Sequence, residues 1–139
     1  MKDLGEANVI LNIKLIKDES GITLLQSHYV EKVLSRFGFM DSKPSPTPYD
    51  PSMTLRKNNK IGRDHLRYSQ IIGSLMYLAS ATRSDISFAM SKLSRYTSNP
   101  GDDHWHALER VLHHLKGTMS FGIHYSGHPT MLEGYSDLN

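Results

Sequence analysis

YSQIIGSLMYLASATRSDISFAMSKLSRYTSNPGDDHWHALERVLHHLKGT, residues 68–118, decides the fold, because it holds three runs of helical periodicity separated by helix-breaking residues. The first helix is expected from Asp64 to Ala81, the second from Ser84 to Thr97, and the third from Asp102 or Asp103 to Lys116. Pro100-Gly101 precedes the third, and Gly117 stands where a C-terminal stop belongs. Successive residues rotate by about 100° around a helix. On that wheel Tyr68, Ile71, Ile72, Leu75, Met76 and Ala79 form the inward stripe of the first helix. The second buries Ile86, Ala89, Met90, Leu93 and Tyr96, and the third Trp105, Leu108, Val111, Leu112 and Leu115. Three such stripes predict a helical bundle.

The outward side of the first helix is unusual. Gln70, Gly73, Ser74, Tyr77 and Ser80 lie there without a charge, where a solvated face normally carries Lys and Glu. A glycine inside a helix costs about 1 kcal/mol relative to alanine. Close approach of another body would explain it, and two bodies fit: a second helix packed on Gly73, or the sugar-lined edge of a nucleic-acid duplex. On the outer edges of the other helices, Lys92, Arg95 and Arg110 are candidate phosphate contacts, with His106 and His113 beside Arg110.

Upstream, residues 8 to 26 alternate in a manner that predicts a β-hairpin, with Val9, Leu11, Ile13 and Leu15 in one strand, a turn at DESG, 18–21, and a second strand over Ile22 to Gln26. Two strands alone make no stable sheet, so the hairpin is expected to join a sheet whose other members lie outside the chain. Ser27 is read as the cap of a short amphipathic helix carrying Tyr29, Val30, Val33, Leu34 and Phe37, with Gly38 as its stop. Four prolines in KPSPTPYDP, 43–51, end all periodicity and predict an extended connector. Its exit is basic through Arg56, Lys57, Lys60, Arg63 and Arg67. Downstream, FGIHYSGHPTMLEGYSD predicts a strand, a turn at Ser126 to Pro129, and a second strand. The fold class is therefore α+β.

Composition sets the outer bounds. At 139 residues the chain is one domain at most. Without cysteine it has no disulfide, no thiolate metal site and no thiol nucleophile, which suits an intracellular, cytoplasmic setting. Sixteen Lys and Arg against fourteen Asp and Glu leave a net charge of +2, too small by itself to signal a nucleic-acid partner. No apolar run approaches the roughly 18 residues of a membrane span. His104, His106, His113 and His114 lack the i, i+4 spacing of a zinc helix, so no metal site is expected. Asp102 and Asp103 open a helix, where carboxylates complement the dipole and free N–H groups. No phosphate loop, dinucleotide fingerprint or nucleophile elbow occurs, and Ser136-Asp137 is no constellation.

Residues 68 to 118 resemble the segment that follows the polymerase catalytic domain in the Pol polyproteins of copia-type LTR retrotransposons. MKDLGEANVILNIKLIKDESGITLLQSHYVEKVLSRFGF is similar to the region just before it, and GYSD to the opening strand of that family's RNase H domain. The resemblance covers essentially the whole chain. It implies part of a reverse transcriptase, an RNA-directed DNA polymerase, in four pieces. These are a palm-end hairpin with its short helix, 1–40; a Pro-rich and basic linker, 41–63; a helical thumb and connection, 64–118; and the truncated start of RNase H, 119–139.

GSLMY is similar to the Gly-x-x-x-Trp pattern of retroviral thumb helices, so the resemblance names Gly73 and Tyr77, with Gln70 beside them, as contacts to the template-primer. It implies an RNA/DNA or DNA duplex and the remainder of the Pol polyprotein as partners, and no membrane. It also implies that magnesium ions serve the full-length enzyme, with none held by this chain. Asp137 matches only the first RNase H carboxylate, and a Tyr-Val-Asp-Asp turn would lie upstream, so the chain alone is expected to be non-catalytic. Asn12 departs from a customary glycine of the primer-gripping hairpin, Ser84 from a proline, and His113-His114 from Arg-Tyr. A decayed copy acting as a non-catalytic protein-interaction module is the alternative expectation.

Overall fold

The computed structural model describes residues 7–10 as backbone and residues 13–126 in full. Its elements are β1 (Ala7–Ile10), β2 (Ile13–Asp18), β3 (Gly21–Leu25), α1 (Ser27–Phe37), α2 (His65–Ala81), α3 (Ser87–Leu93), α4 (Asp102–Gly117) and β4 (Gly122–Ser126). Short 3-10 turns, Ser84–Ile86 and Ser94–Tyr96, flank α3. The second helix expected over 84–97 is therefore α-helical only in its middle. The fold is mixed α and β, as the sequence predicts.

The sheet departs from expectation twice. The stretch 8–16, read as one strand, holds parts of two: β1 and β2 pair antiparallel, with Ile10 opposite Ile13. Period-two alternation does not mark where one strand gives way to its antiparallel neighbour. Asn12 lies outside the described residues. The sheet order is β1-β2-β3-β4, so its fourth member comes from the chain's own C-terminal region. Leu24 lies opposite Ile123, and Thr23 Oγ1 meets His124 Nδ1 at 2.7 Å. Residues 122–126 thus join the N-terminal sheet and, among the described residues, form one of its edges. The second strand expected after them, and Asp137, lie outside the described residues. Gly21 permits this pairing: its φ is +138°, and a Cβ there would fall on the Tyr125 carbonyl oxygen.

The core is helical. Val30, Val33, Leu34 and Phe37 of α1 meet Ile71, Ile72, Leu75 and Leu78 of α2, Met90 and Leu93 of α3, and Leu108, Val111, Leu112 and Leu115 of α4. Tyr68 is fully buried, donates to the Leu93 carbonyl at 2.7 Å and sits edge-on to Trp105. Burial pushes its hydroxyl pKa well up. The expected stripe of α2 needs one exchange: Met76 is exposed, and Leu78 is buried in its place. Leu78 follows Ile71 by seven residues and shares its azimuth, whereas Met76 falls at the stripe's margin. Tyr96 is only half-buried, stacked on His104 with ring centroids 3.8 Å apart.

The α1 boundaries also differ slightly. Ser27 is its first residue, Gln26 precedes it without a side-chain cap, and Gly38 closes it at φ +83° as expected. The proline-rich segment is extended, but it lies along the helices as a strap. Proline lacks an N–H, so the strap chiefly accepts: Arg110 donates to the Thr47 carbonyl and hydroxyl, and His104 Nε2 to the Arg56 carbonyl. Ser45 N–H donates to the His113 carbonyl, and Trp105 Nε1 to the Arg63 carbonyl. Gly117 is the last residue of α4 rather than the stop beyond it; a Cβ there would meet Pro44 at 2.8 Å.

One buried polar cluster joins these parts. Arg83, 1% exposed, donates to both Asp85 oxygens and to the Thr118 carbonyl and hydroxyl. His114 Nε2 lies 2.9 Å from Asp85 Oδ2. Burial pushes the Asp85 carboxyl up, but hydrogen bonds from Arg83 and His114, with their charges, outweigh it and hold the pKa at about 2. The cluster anchors the turn that leads from α4 into β4.

Candidate nucleic-acid interface

Gln70 and Gly73 are exposed on α2, and Tyr77 is half-buried one turn further along. The exposed Leu66, Met76 and Ser80 continue the same strip, which bears no charge. Its serines turn inward: Ser69 donates to the Leu66 carbonyl, Ser74 to that of Gln70 and Ser80 to that of Tyr77. Back-bonded hydroxyls leave a neutral surface with few competing donors. A Cβ built on Gly73 meets nothing within 4 Å. No helix among the described residues packs on this glycine, so the first of the two sequence explanations does not apply within the chain.

The strip has a basic flank that sequence reasoning missed. Tyr29, Lys32, Val33 and Arg36 of α1, with Ser74 of α2, line an open groove of about 300 Å³. Tyr29 of this lining meets Tyr77 of α2 edge-on, with ring centroids 5.2 Å apart. The signal was legible, since positions 29, 32, 33 and 36 follow i, i+3, i+4, i+7 spacing on α1. Nothing local, however, said that this stripe would border α2.

The other candidates lie elsewhere. Lys92 sits over the Phe88 ring, and Phe88 meets Tyr49 of the strap. Arg110 is held by Thr47, and Arg95 is exposed beyond α3. None of these contacts involves the α2 strip. The basic exit is also partly occupied: Arg63 pairs with Asp102 at 2.9 Å, and Arg67 donates to the Phe37 carbonyl. Asp102 and Asp103 lie in the first turn of α4, where Asp103 accepts from the His104 N–H at 2.9 Å, but the N-cap position is Gly101 rather than either carboxylate. His104 and His114 are buried in structural hydrogen bonds, and among the described residues no three His, Cys, Asp or Glu gather as a metal-ligand set. No described helix is long and apolar enough to cross a membrane.

A strapped helical core thus carries a neutral helix face with a cationic border. No protein-family model matches the chain, and no solved structure matches it significantly. Its whole length is similar to a stretch of copia-type retrotransposon Pol polyprotein. It is 36% identical over 148 residues to the retrovirus-related Pol polyprotein from transposon TNT 1-94 of Nicotiana tabacum, covering all of this chain and 11% of that one. To the corresponding polyprotein from transposon RE2 of Arabidopsis thaliana it is 39% identical over 142 residues, all of this chain and 10% of the other. A transposon Ty5-1 protein of Saccharomyces cerevisiae is 33% identical across the whole chain, which covers 46% of it. The chain spans about a tenth of the length of the Pol polyproteins it matches.

Proposed function

We propose that this segment holds an RNA/DNA template-primer duplex within a retrotransposon reverse transcriptase, with the α2 strip against the minor groove. The observation that carries the reading is Gly73: it is exposed, and its absent side chain serves no packing contact among the described residues. A glycine that costs helix stability without relieving an internal clash is accounted for by a body outside the chain. A duplex minor groove, lined by sugars and acceptors, suits a neutral surface with one aromatic edge. The segment then acts by positioning. Polymerase and RNase H chemistry, with its magnesium ions, belongs to other parts of the polyprotein, in an intracellular, cytoplasmic setting.

The remainder of the polyprotein is proposed as a second partner, through the sheet. Pairing places Ile13, Leu15, Ile22, Leu24 and Ile123 on one face. All are only partly buried, and the partly buried apolar side chains packed against the helical core come from α1, α2, the segment 39–55 and Met119. Apart from Lys17, opposite Ile22, this face is an apolar surface suited to another domain.

The test is anisotropy of a labelled RNA/DNA hybrid titrated with the chain at about 50 mM and about 200 mM salt. Binding that weakens with salt, and weakens at least tenfold with Gly73→Leu, is expected. No binding at the lower salt overturns the proposal.

A further inference from the structure

We propose that the groove between α1 and α2 is a seat for the sugar-phosphate backbone of one nucleic-acid strand, with Lys32 and Arg36 as its phosphate contacts. This rests on the duplex reading above and extends it to an element, α1, that the reading did not include.

The lining is chemically one-sided. Lys32 and Arg36 are exposed cations, Tyr29 brings a phenol, Ser74 forms a neutral wall with its hydroxyl donated to the Gln70 carbonyl, and Val33 forms an apolar floor. Among the described residues no carboxylate lines the groove. The α2 helix has no acidic residue, and Glu31, the acid of α1, lies 3.8 Å from His28. Two cations without counter-charges favour an anionic occupant. Spacing narrows the kind of anion. Residues four apart on a helix rise by about 6 Å, while phosphates of one strand succeed each other every ~3.4 Å along a duplex axis. The pair therefore spans about two nucleotide steps, a length a repeating phosphate chain supplies and an isolated phosphate does not.

The groove also continues into the strip. Ser74 adjoins Gly73, and the Tyr29 and Tyr77 rings touch across the two helices. A strand whose phosphates rest on Lys32 and Arg36 would bring its sugars over Gly73. The neutral strip and the charged groove then read adjacent parts of one duplex edge, consistent with phosphate contacts that position while the groove surface fits.

The experiment compares the wild-type chain, the double variant Lys32→Gln/Arg36→Gln and Gly73→Leu in hybrid binding across a salt series. Trp105 fluorescence confirms that each is folded. Each phosphate contact contributes about 0.9 to the slope of log affinity against log salt, so the double variant should flatten that slope by about 1.8. Gly73→Leu should lower affinity with the slope unchanged. A double variant with the wild-type slope overturns the groove proposal, and a loss on Gly73→Leu in the same series leaves the duplex reading standing. Absence of wild-type binding overturns both. Competition by polyglutamate as effective as that of the hybrid at equal charge would assign the groove to an acidic protein surface and also overturn it.

Discussion

Replacing Gly73 with alanine should stabilise the free chain and weaken its grip on a duplex. In the interior of α2, glycine is less favourable than alanine by about 0.8–1.0 kcal/mol, because it has more backbone freedom to lose on folding. That gain survives only if the added methyl group meets no obstacle, and a Cβ at Gly73 has nothing within 4 Å. The backbone there is ordinary helix, since the positive-φ glycines are Gly21 and Gly38. The full propensity difference should therefore appear, about 1 kcal/mol, or about 4 °C in Tm for a domain of this size. Urea unfolding followed by fluorescence of the single tryptophan, the buried Trp105, measures it directly. A midpoint that rises while hybrid affinity falls would show that the glycine serves a partner. A midpoint that falls would mean that the chain itself requires the glycine, and the reasoning from an open Gly73 would be refuted.

Three further expectations concern stability. Asp85 titrates at about 2 against 3.8 for an ordinary aspartate, so its contribution to stability is present above about pH 4 and is lost as pH falls from 4 toward 2. The shift corresponds to about 2.5 kcal/mol at ~1.4 kcal/mol per pH unit, but the Asp85 side chain is 38% exposed, and screening reduces the expected loss to about 1 kcal/mol. Urea midpoints between pH 5 and pH 2.5 would show this, and Asp85→Asn should remove that part of the acid sensitivity while lowering stability at neutral pH by about 1–2 kcal/mol, because Arg83 stays buried with its Thr118 partners but without the carboxylate. His104→Ala should cost about 2–4 kcal/mol, since it breaks the bond from the Gly101 N–H, the bond to the Arg56 carbonyl and the stack on Tyr96. An unchanged midpoint would mean that the strap is not tied to α4 through this ring.

The sequence by itself determined the helices and most of their inward residues. Helical period is local: Tyr68, Ile71, Ile72 and Leu75 lie on one side of α2 whatever surrounds it, and so do Leu108, Val111, Leu112 and Leu115 on α4. The neutral face around Gly73 was legible for the same reason. Tertiary structure decided which surfaces became neighbours. The docking of β4 beside β3, the strap across α4 and the placing of Lys32 and Arg36 next to the α2 strip all join residues distant in the chain. No periodicity encodes such pairings. They follow from which apolar faces bury one another and from where each backbone finds its hydrogen bonds, and only the assembled fold settles those together.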